Sequence, residues 1–376
     1  MINRKIFAVA VLLVLAVVSV FLIRGWYIRR STFVLGVIGN FKGKNAQVGV
    51  ESFNAITLAY EEYKKKYPHG ISLKILPVDD SWAVEKMKET YLSTADKVDM
   101  LIILSGSTNV LTIEDDIKTR PGLVHALVGP STTRFSAKMD NIIRNIPDLE
   151  QEQKQIASFL QGYFKAGKIL LLVESEYNYN YTEPSAEFFT KYADKIAVEK
   201  VAYSGTSAGT GAAMELLKTN EYDAVYILAG GLPRETGILI QHIRAIKPGI
   251  PVMITPWTRG KIFLQALGSQ NGGIFMASHV KFTDNPLHGK FIASYRARFG
   301  EDTHEYFVPI MYDLANSLLV TLHTTRSVKA SVFIPELLKK EYQGTMGVTR
   351  FDEFGDAAGT IFFYKLVNGD WQYIYP

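Results

Sequence analysis

Apolar residues recur along this chain with two periods, and the two alternate. "TFVLGVIG" (32–39), "VDMLIIL" (98–104), "LVHALVG" (123–129), "KILLLV" (168–173), "DAVYILAG" (223–230) and "IPVMITP" (250–256) are short, nearly continuous apolar runs. Runs of this kind are strands buried on both faces of a parallel sheet. "ISLKILPV" (71–78) and "KIAVEKVAY" (195–203) alternate apolar and polar positions and read as further strands. Helical spacing fills the gaps. "VESFNAITLAYEEYKKKY" (50–67) puts Phe53, Ile56, Tyr60 and Tyr63 on one face. "SWAVEKMKETYLS" (81–93) is helical with Ser81 as its N-cap. Residues 140–166 read as mainly helical, and helices follow around Phe188, Phe189 and Tyr192, through "AAMELLKT", and through "ETGILIQHIRAI". Two successive β-α runs predict two doubly wound α/β lobes. The tail "FDEFGDAAGTIFFYKLVNGDWQYIYP" carries turn signals at "FGDAAG" and Asn368-Gly369, so a hairpin on a sheet edge is expected.

One segment has no period. From Ile6 to Ile23 the chain is apolar on every side, for about 18 residues, long enough to cross a bilayer as a helix. Arg4 and Lys5 precede it, and Arg24, Trp26, Tyr27, Arg29 and Arg30 follow. It is longer than a usual signal-peptide core and no small-x-small cleavage site stands out. The expectation is an uncleaved transmembrane anchor over residues 1–31, with the rest of the protein outside the cytoplasmic membrane in the periplasm; a cleaved signal peptide and a soluble protein is the alternative.

Composition narrows the chemistry. A length of 376 residues, 47% of them hydrophobic, supports two cores. A net charge of +4 with no concentrated basic face argues against a nucleic-acid partner. Lys64–Lys66 closes a helix and suits its dipole. There is no cysteine, which excludes disulfides, thiolate metal sites and thiol nucleophiles. The glycines of "GVIGNFKG" lack dinucleotide spacing, "GTSAGTGAAM" is not a phosphate loop, and "SGSTN" is not a nucleophile elbow. The histidines are scattered, so no metal site is expected. Asp79-Asp80 lies between a strand and a helix and reads as a cap. No catalytic constellation and no cofactor are expected.

Two hydroxyl clusters remain. Ser105, Ser107 and Thr108 follow one apolar strand; Ser131, Thr132 and Thr133 follow another. Ligands of open α/β sheets collect at the carboxyl ends of strands. Ordinary turn and cap chemistry would place hydroxyls there too, and the residues leave both readings open.

These stretches carry a resemblance. In order, "GVIGNFKGKNAQVGVESFNAITLAYEE", "ILSGSTN", "LVGPSTTRFS", "DAVYILAGGLPRETGILIQHIR", "PIMYDLANSLL" and "GTMGVTRFDEFGD" are similar to segments of the leucine/isoleucine/valine-type periplasmic binding proteins, the type I solute-binding or extracellular ligand-binding receptor family. The likeness covers roughly residues 32–376. It implies two Rossmann-like lobes joined by three crossing strands, the first from residues 32–146 and 278–335, the second from 147–277 and 336–376. It further implies a small ligand enclosed between them, and an ABC permease or a sensor kinase as partner. By that resemblance Ser105, Ser131 and Thr133 would hold a ligand carboxylate. Tyr181 would cover the ligand, with Tyr177 and Tyr179 as alternatives. The family's acidic partner for a ligand ammonium is replaced by Trp257, and an expected aromatic by Leu232 or Pro233. Arg134 and Arg259 fall near the cleft. A carboxylate with an apolar or aromatic body fits this pattern better than a standard amino acid.

Overall fold

The computed structural model describes residues 18–19 and 32–375, apart from 44–45, 205–207, 270–271, 302 and 304–305. The first sheet contains β1 (Thr32–Gly39), β2 (Ser72–Asp79), β3 (Met100–Leu104), β4 (Val124–Val128) and β5 (Ile142–Arg144), in the order β2-β1-β3-β4-β5. All its pairings are parallel. The second contains β6 (Lys168–Glu174), β7 (Ala197–Tyr203), β8 (Ala224–Leu228), β9 (Val252–Ile254) and β10 (Ile274–Ser278), again parallel to one another. The hairpin β14 (Phe362–Val367) and β15 (Asp370–Tyr375) adds antiparallel to β10, giving the order β15-β14-β10-β9-β8-β6-β7. Its turn is the predicted Asn368-Gly369, both residues at positive φ.

The apolar runs divide their side chains between two cores with the strand period of two. Ile169, Leu171 and Val173 of β6 join the large core shared by both lobes, while Leu170 and Leu172 face a second core under the other side of the sheet. In β1 and β3, Val37 and Ile102 face the large core and Ile38 and Ile103 a third. Helices therefore cover both faces of each sheet. They are α1 (Ala46–Lys66), α2 (Val84–Ala95), the short α3 (Ser107–Leu111) and α4 (Glu114–Lys118), α5 (Leu149–Gly162), α6 (Tyr179–Tyr192), α7 (Gly211–Thr219), α8 (Pro233–Ile246), α9 (Lys261–Leu267), α10 (Pro286–Phe299), α11 (Phe307–Thr325) and α12 (Ala330–Leu337).

The chain passes between the sheets after β5, after β10 and before β14. At the first and last of these passages Arg144 and Asp356 form a lone bridge and a buried ion pair at 2.7 Å. Arg144 also donates to Thr132 O at 2.8 Å and to Ser136 Oγ at 2.7 Å. A small antiparallel sheet, β11 (Glu341–Gly344), β12 (Gly347–Phe351) and β13 (Ala357–Ala358), stands beside the last passage. The turn between β11 and β12 bonds to α11: Thr345 and Met346 donate their N–H groups to the Asp313 carboxylate.

Three local expectations change. Residues 140–166 hold strand β5 before the helix begins at Leu149, where Asp148 caps it by accepting from Gln151 N. Ser81 is not an N-cap. It sits at φ 53, α2 starts three residues later behind Ala83, and Ser81 Oγ donates to Asp79 instead. Asp79 and Asp80 accordingly cap no helix; each orders the turn around it. The fold class is also corrected at its N-terminus. The apolar segment behind the expected transmembrane helix lies outside the described residues, save Val18 and Ser19. Among the described residues no helix is long and apolar enough to cross a membrane. The supported architecture is the two lobes and their hinge.

Candidate functional site

Each sheet reverses its strand order once, beside β1 in the first lobe and beside β6 in the second, and the segments leaving the strand ends there face one another across a cleft. Ser105 and Gly106 come from the end of β3 and Gly129 from the end of β4. Tyr177 and Asn178 leave β6, Gly230 to Pro233 leave β8, and Trp257 and Arg259 leave β9. Tyr306 and Phe307 close the side nearest the hinge.

Two glycines permit the close approaches that shape the first lobe's wall. A Cβ on Gly49 would stand 1.9 Å from Asn40 O, so only glycine lets α1 bring Gln47 and Val48 against the cleft. Gly129, at φ +104, lets β4 end against the Ser105 carbonyl, where a Cβ would be 2.5 Å away. Trp82, at φ 50, donates its indole N–H to Leu104 O at 3.0 Å and lays its ring on the same wall.

Aromatic rings dominate the interior. Trp257 stacks on Phe307, 5.5 Å between centroids at 27°, and meets Tyr306 and Tyr181 edge-on. Arg259 is the one charged residue lining the cleft among the described residues, and its guanidinium lies 3.9 Å over the Phe282 ring. Behind Ser105 stands Asp80, fully buried, accepting from Ser105 Oγ at 3.2 Å and from Trp82 N at 2.9 Å. Burial raises the Asp80 carboxyl to about 6, and these two hydrogen bonds limit the rise. Tyr177 is held un-ionised, first by burial and then by the Asp80 charge.

Of the residues expected from the sequence, Ser105, Leu232 and Trp257 line the cleft, as do the alternatives Tyr177 and Pro233 and the nearby Arg259. The others are placed elsewhere. Ser107 is buried at the start of α3. Thr108 spans the two lobes: its N–H and hydroxyl both donate to Asn178 Oδ1, at 3.1 and 3.2 Å, and its Oγ1 accepts from Asn180 N at 3.2 Å. Ser131 is fully buried, and its carbonyl accepts from Leu149 N where the chain crosses to the second lobe. Thr132 caps a single 3-10 turn by accepting from Arg134 N, and Thr133 begins that turn. Arg134 pairs with Glu114 at 2.7 Å, away from the cleft. Tyr181 does not line the cleft. It is buried in the core, donating to Glu152 Oε1 at 2.7 Å, and Tyr179 is exposed.

Asn178, Trp82, Tyr306 and Phe307 had not been anticipated. Trp82 and Asn178 follow strand ends and obey the same rule as Ser105. Tyr306 and Phe307 stand at the start of α11, about two hundred residues beyond Ser105, and carry no local signal.

A family model described as periplasmic binding protein matches residues 32–370. The chain belongs to the periplasmic binding protein family. This binding protein also shares its fold with solved structures at low identity. A leucine-binding protein from Thermotoga maritima is 17% identical, with a TM-score of 0.80 over 91% of this chain and 97% of that one. A solute-binding protein of an ABC transporter from R. palustris, in complex with benzoate, is 17% identical, with a TM-score of 0.76 over 92% and 96%. Another from Rhodopseudomonas palustris BisB5, in complex with 3,4-dihydroxy benzoic acid, is 18% identical, with a TM-score of 0.77 over 92% and 96%. No curated protein matches the chain. Membership in the family makes this a two-lobed binding protein and not an enzyme, and supports an extracytoplasmic location. The expected partnership with the membrane through an N-terminal helix, and the anchored location drawn from it, are withdrawn, because no described helix can supply the span.

Proposed function

We propose that this binding protein closes its lobes over a small organic acid with an aromatic or apolar body and presents it to an ABC permease. The carrying observation is the lining of the cleft: among the described residues it has five aromatic side chains, Trp82, Tyr177, Trp257, Tyr306 and Phe307, and one cation, Arg259. Flat rings give apolar contact at low entropic cost, and a guanidinium suits a carboxylate. Among the described residues no carboxylate side chain lines the cleft to pair a ligand ammonium, which disfavours a standard amino acid. Ser105, Tyr177, Leu232, Trp257 and Arg259 are the residues assigned to ligand contact. The benzoate and dihydroxybenzoate complexes of the R. palustris proteins agree with this ligand class.

The test is thermal unfolding and calorimetry of the purified protein with benzoate, 3,4-dihydroxybenzoate, leucine and isoleucine. An acid present at about 100 times its Kd should add about 2.7 kcal/mol to stability. Arg259→Gln should abolish the shift. Stabilisation by the amino acids alone would refute the acid reading.

A further inference from the structure

We propose that Ser105 meets the ligand as a hydrogen-bond acceptor, its own proton being held by Asp80 behind it, so that the ligand end facing the first lobe carries an O–H or N–H donor and not the carboxylate. This rests on the reading of the cleft as a small-acid site and assigns the orientation of the acid within it.

The argument begins with proton counting. A serine hydroxyl has one proton and two lone pairs, and an ionised carboxylate only accepts. Asp80 is fully buried, and among the described residues no cation is paired with it. Its charge is met by the Trp82 N–H on Oδ1 and the Ser105 hydroxyl on Oδ2. The groups that face it besides these are Asp79, its neighbour in the chain, and Tyr177 from the second lobe. Neither can replace the serine proton: Asp79 is committed to Phe41 N and Ser81 Oγ, and the Tyr177 hydroxyl is not among the groups bonded to Asp80. Burial brings Asp80 to about 6, so it is largely ionised at neutral pH and keeps its demand for the proton. What Ser105 shows to the cleft is therefore lone-pair density with a negative charge one hydrogen bond behind it. A ligand carboxylate set there would face both; a hydroxyl or ammonium would be drawn by both. Among the described residues the cation of the lining is Arg259, on the opposite lobe. The polarity thus runs from donor at the first lobe to carboxylate at the second.

Two measurements test this, and the first needs no ligand. In aspartate-labelled full-length protein, carbon NMR follows the Asp80 carboxyl, its resonance assigned with Asp80→Asn. Ser105→Ala removes the donor and should raise the Asp80 midpoint by about one pH unit, a tenfold change in its proton affinity. Ser105→Thr, which keeps a hydroxyl, should restore it. An unmoved midpoint in Ser105→Ala overturns the proposal. Second, calorimetry compares benzoate with 3,4-dihydroxybenzoate. Ser105→Ala should weaken the dihydroxy acid about tenfold and benzoate by less than about twofold. Equal weakening of both acids would show the hydroxyl gripping the carboxylate and would overturn the proposal. A raised Asp80 midpoint with neither acid bound by the wild type would uphold the proton arrangement and refute the small-acid reading instead.

Discussion

Thr108 offers a test of how the closed form is held. The sequence places it among ligand contacts; the structure places it between the lobes, where it bonds Asn178 and Asn180 and does not line the cleft. Thr108→Val keeps the shape of the side chain and removes its oxygen. Two hydrogen bonds go: Oγ1 to Asn178 Oδ1 and Asn180 N to Oγ1, both 3.2 Å. Asn178 Oδ1 keeps the Thr108 N–H at 3.1 Å, so no acceptor is stranded. At about 1 kcal/mol net for each bond, closure loses about 2 kcal/mol, a factor of about 30 in the ratio of closed to open forms. Because the open form can rebind these groups to water, the loss falls on the closed form alone. Small-angle scattering of the ligand-free variant should show a larger radius of gyration. Calorimetry should show every ligand weakened by one common factor, no greater than the shift in closure. Affinity lost for some ligands and not others, with scattering unchanged, would mean that Thr108 touches the ligand. No change in either quantity would refute the latch altogether.

Two further outcomes concern stability. Arg144→Ala removes one partner of the buried pair at the hinge and strands Asp356, so it should cost about 3–5 kcal/mol in urea unfolding; a loss under about 1 kcal/mol would refute the buried-pair reading. His125, enclosed between Tyr91 Oη at 2.9 Å and Asn141 Nδ2 at 3.0 Å, has its ring pushed down to about 4 by burial. Its folded value lies below the unfolded one, so its contribution is present above pH about 6.5 and is lost as pH falls toward 4, by about 3 kcal/mol in all. Asp140 and Asp313, raised to about 6 by burial, act in the opposite sense over much of the same range. The ring is therefore best followed by itself, by NMR: it should stay neutral down to about pH 5, and a midpoint near 6.5 would refute the assignment.

The alternation of apolar runs with helical spacing was enough, from the sequence, to imply two doubly wound lobes and the edge hairpin at Asn368-Gly369. These features rest on local rules: a strand buried on both faces must be apolar throughout, and a two-residue turn needs residues that tolerate positive φ. Strand ends were legible for the same reason, which brought Ser105 into view, while Leu232, Trp257 and, as an alternative to Tyr181, Tyr177 came into view only through the family resemblance. The neighbours of each strand end were not legible. Ser131 and Thr133 follow a strand just as Ser105 does, yet β4 lies one place farther from the switch point, and the crossing chain at Leu149 covers Ser131. Aromatic spacing in "SEYNYNYTEP" cannot show where α6 begins, so it does not separate Tyr177, at the cleft, from Tyr181, in the core. Tyr306 and Phe307, and the Asp80 that takes the Ser105 proton, reach the site only through the packing of segments far apart in the chain. Periodicity records which face of an element is dry. Which polar groups then meet across a cleft depends on the order of strands in the sheets and the closure of one lobe on the other, and both arise only when the whole chain has folded.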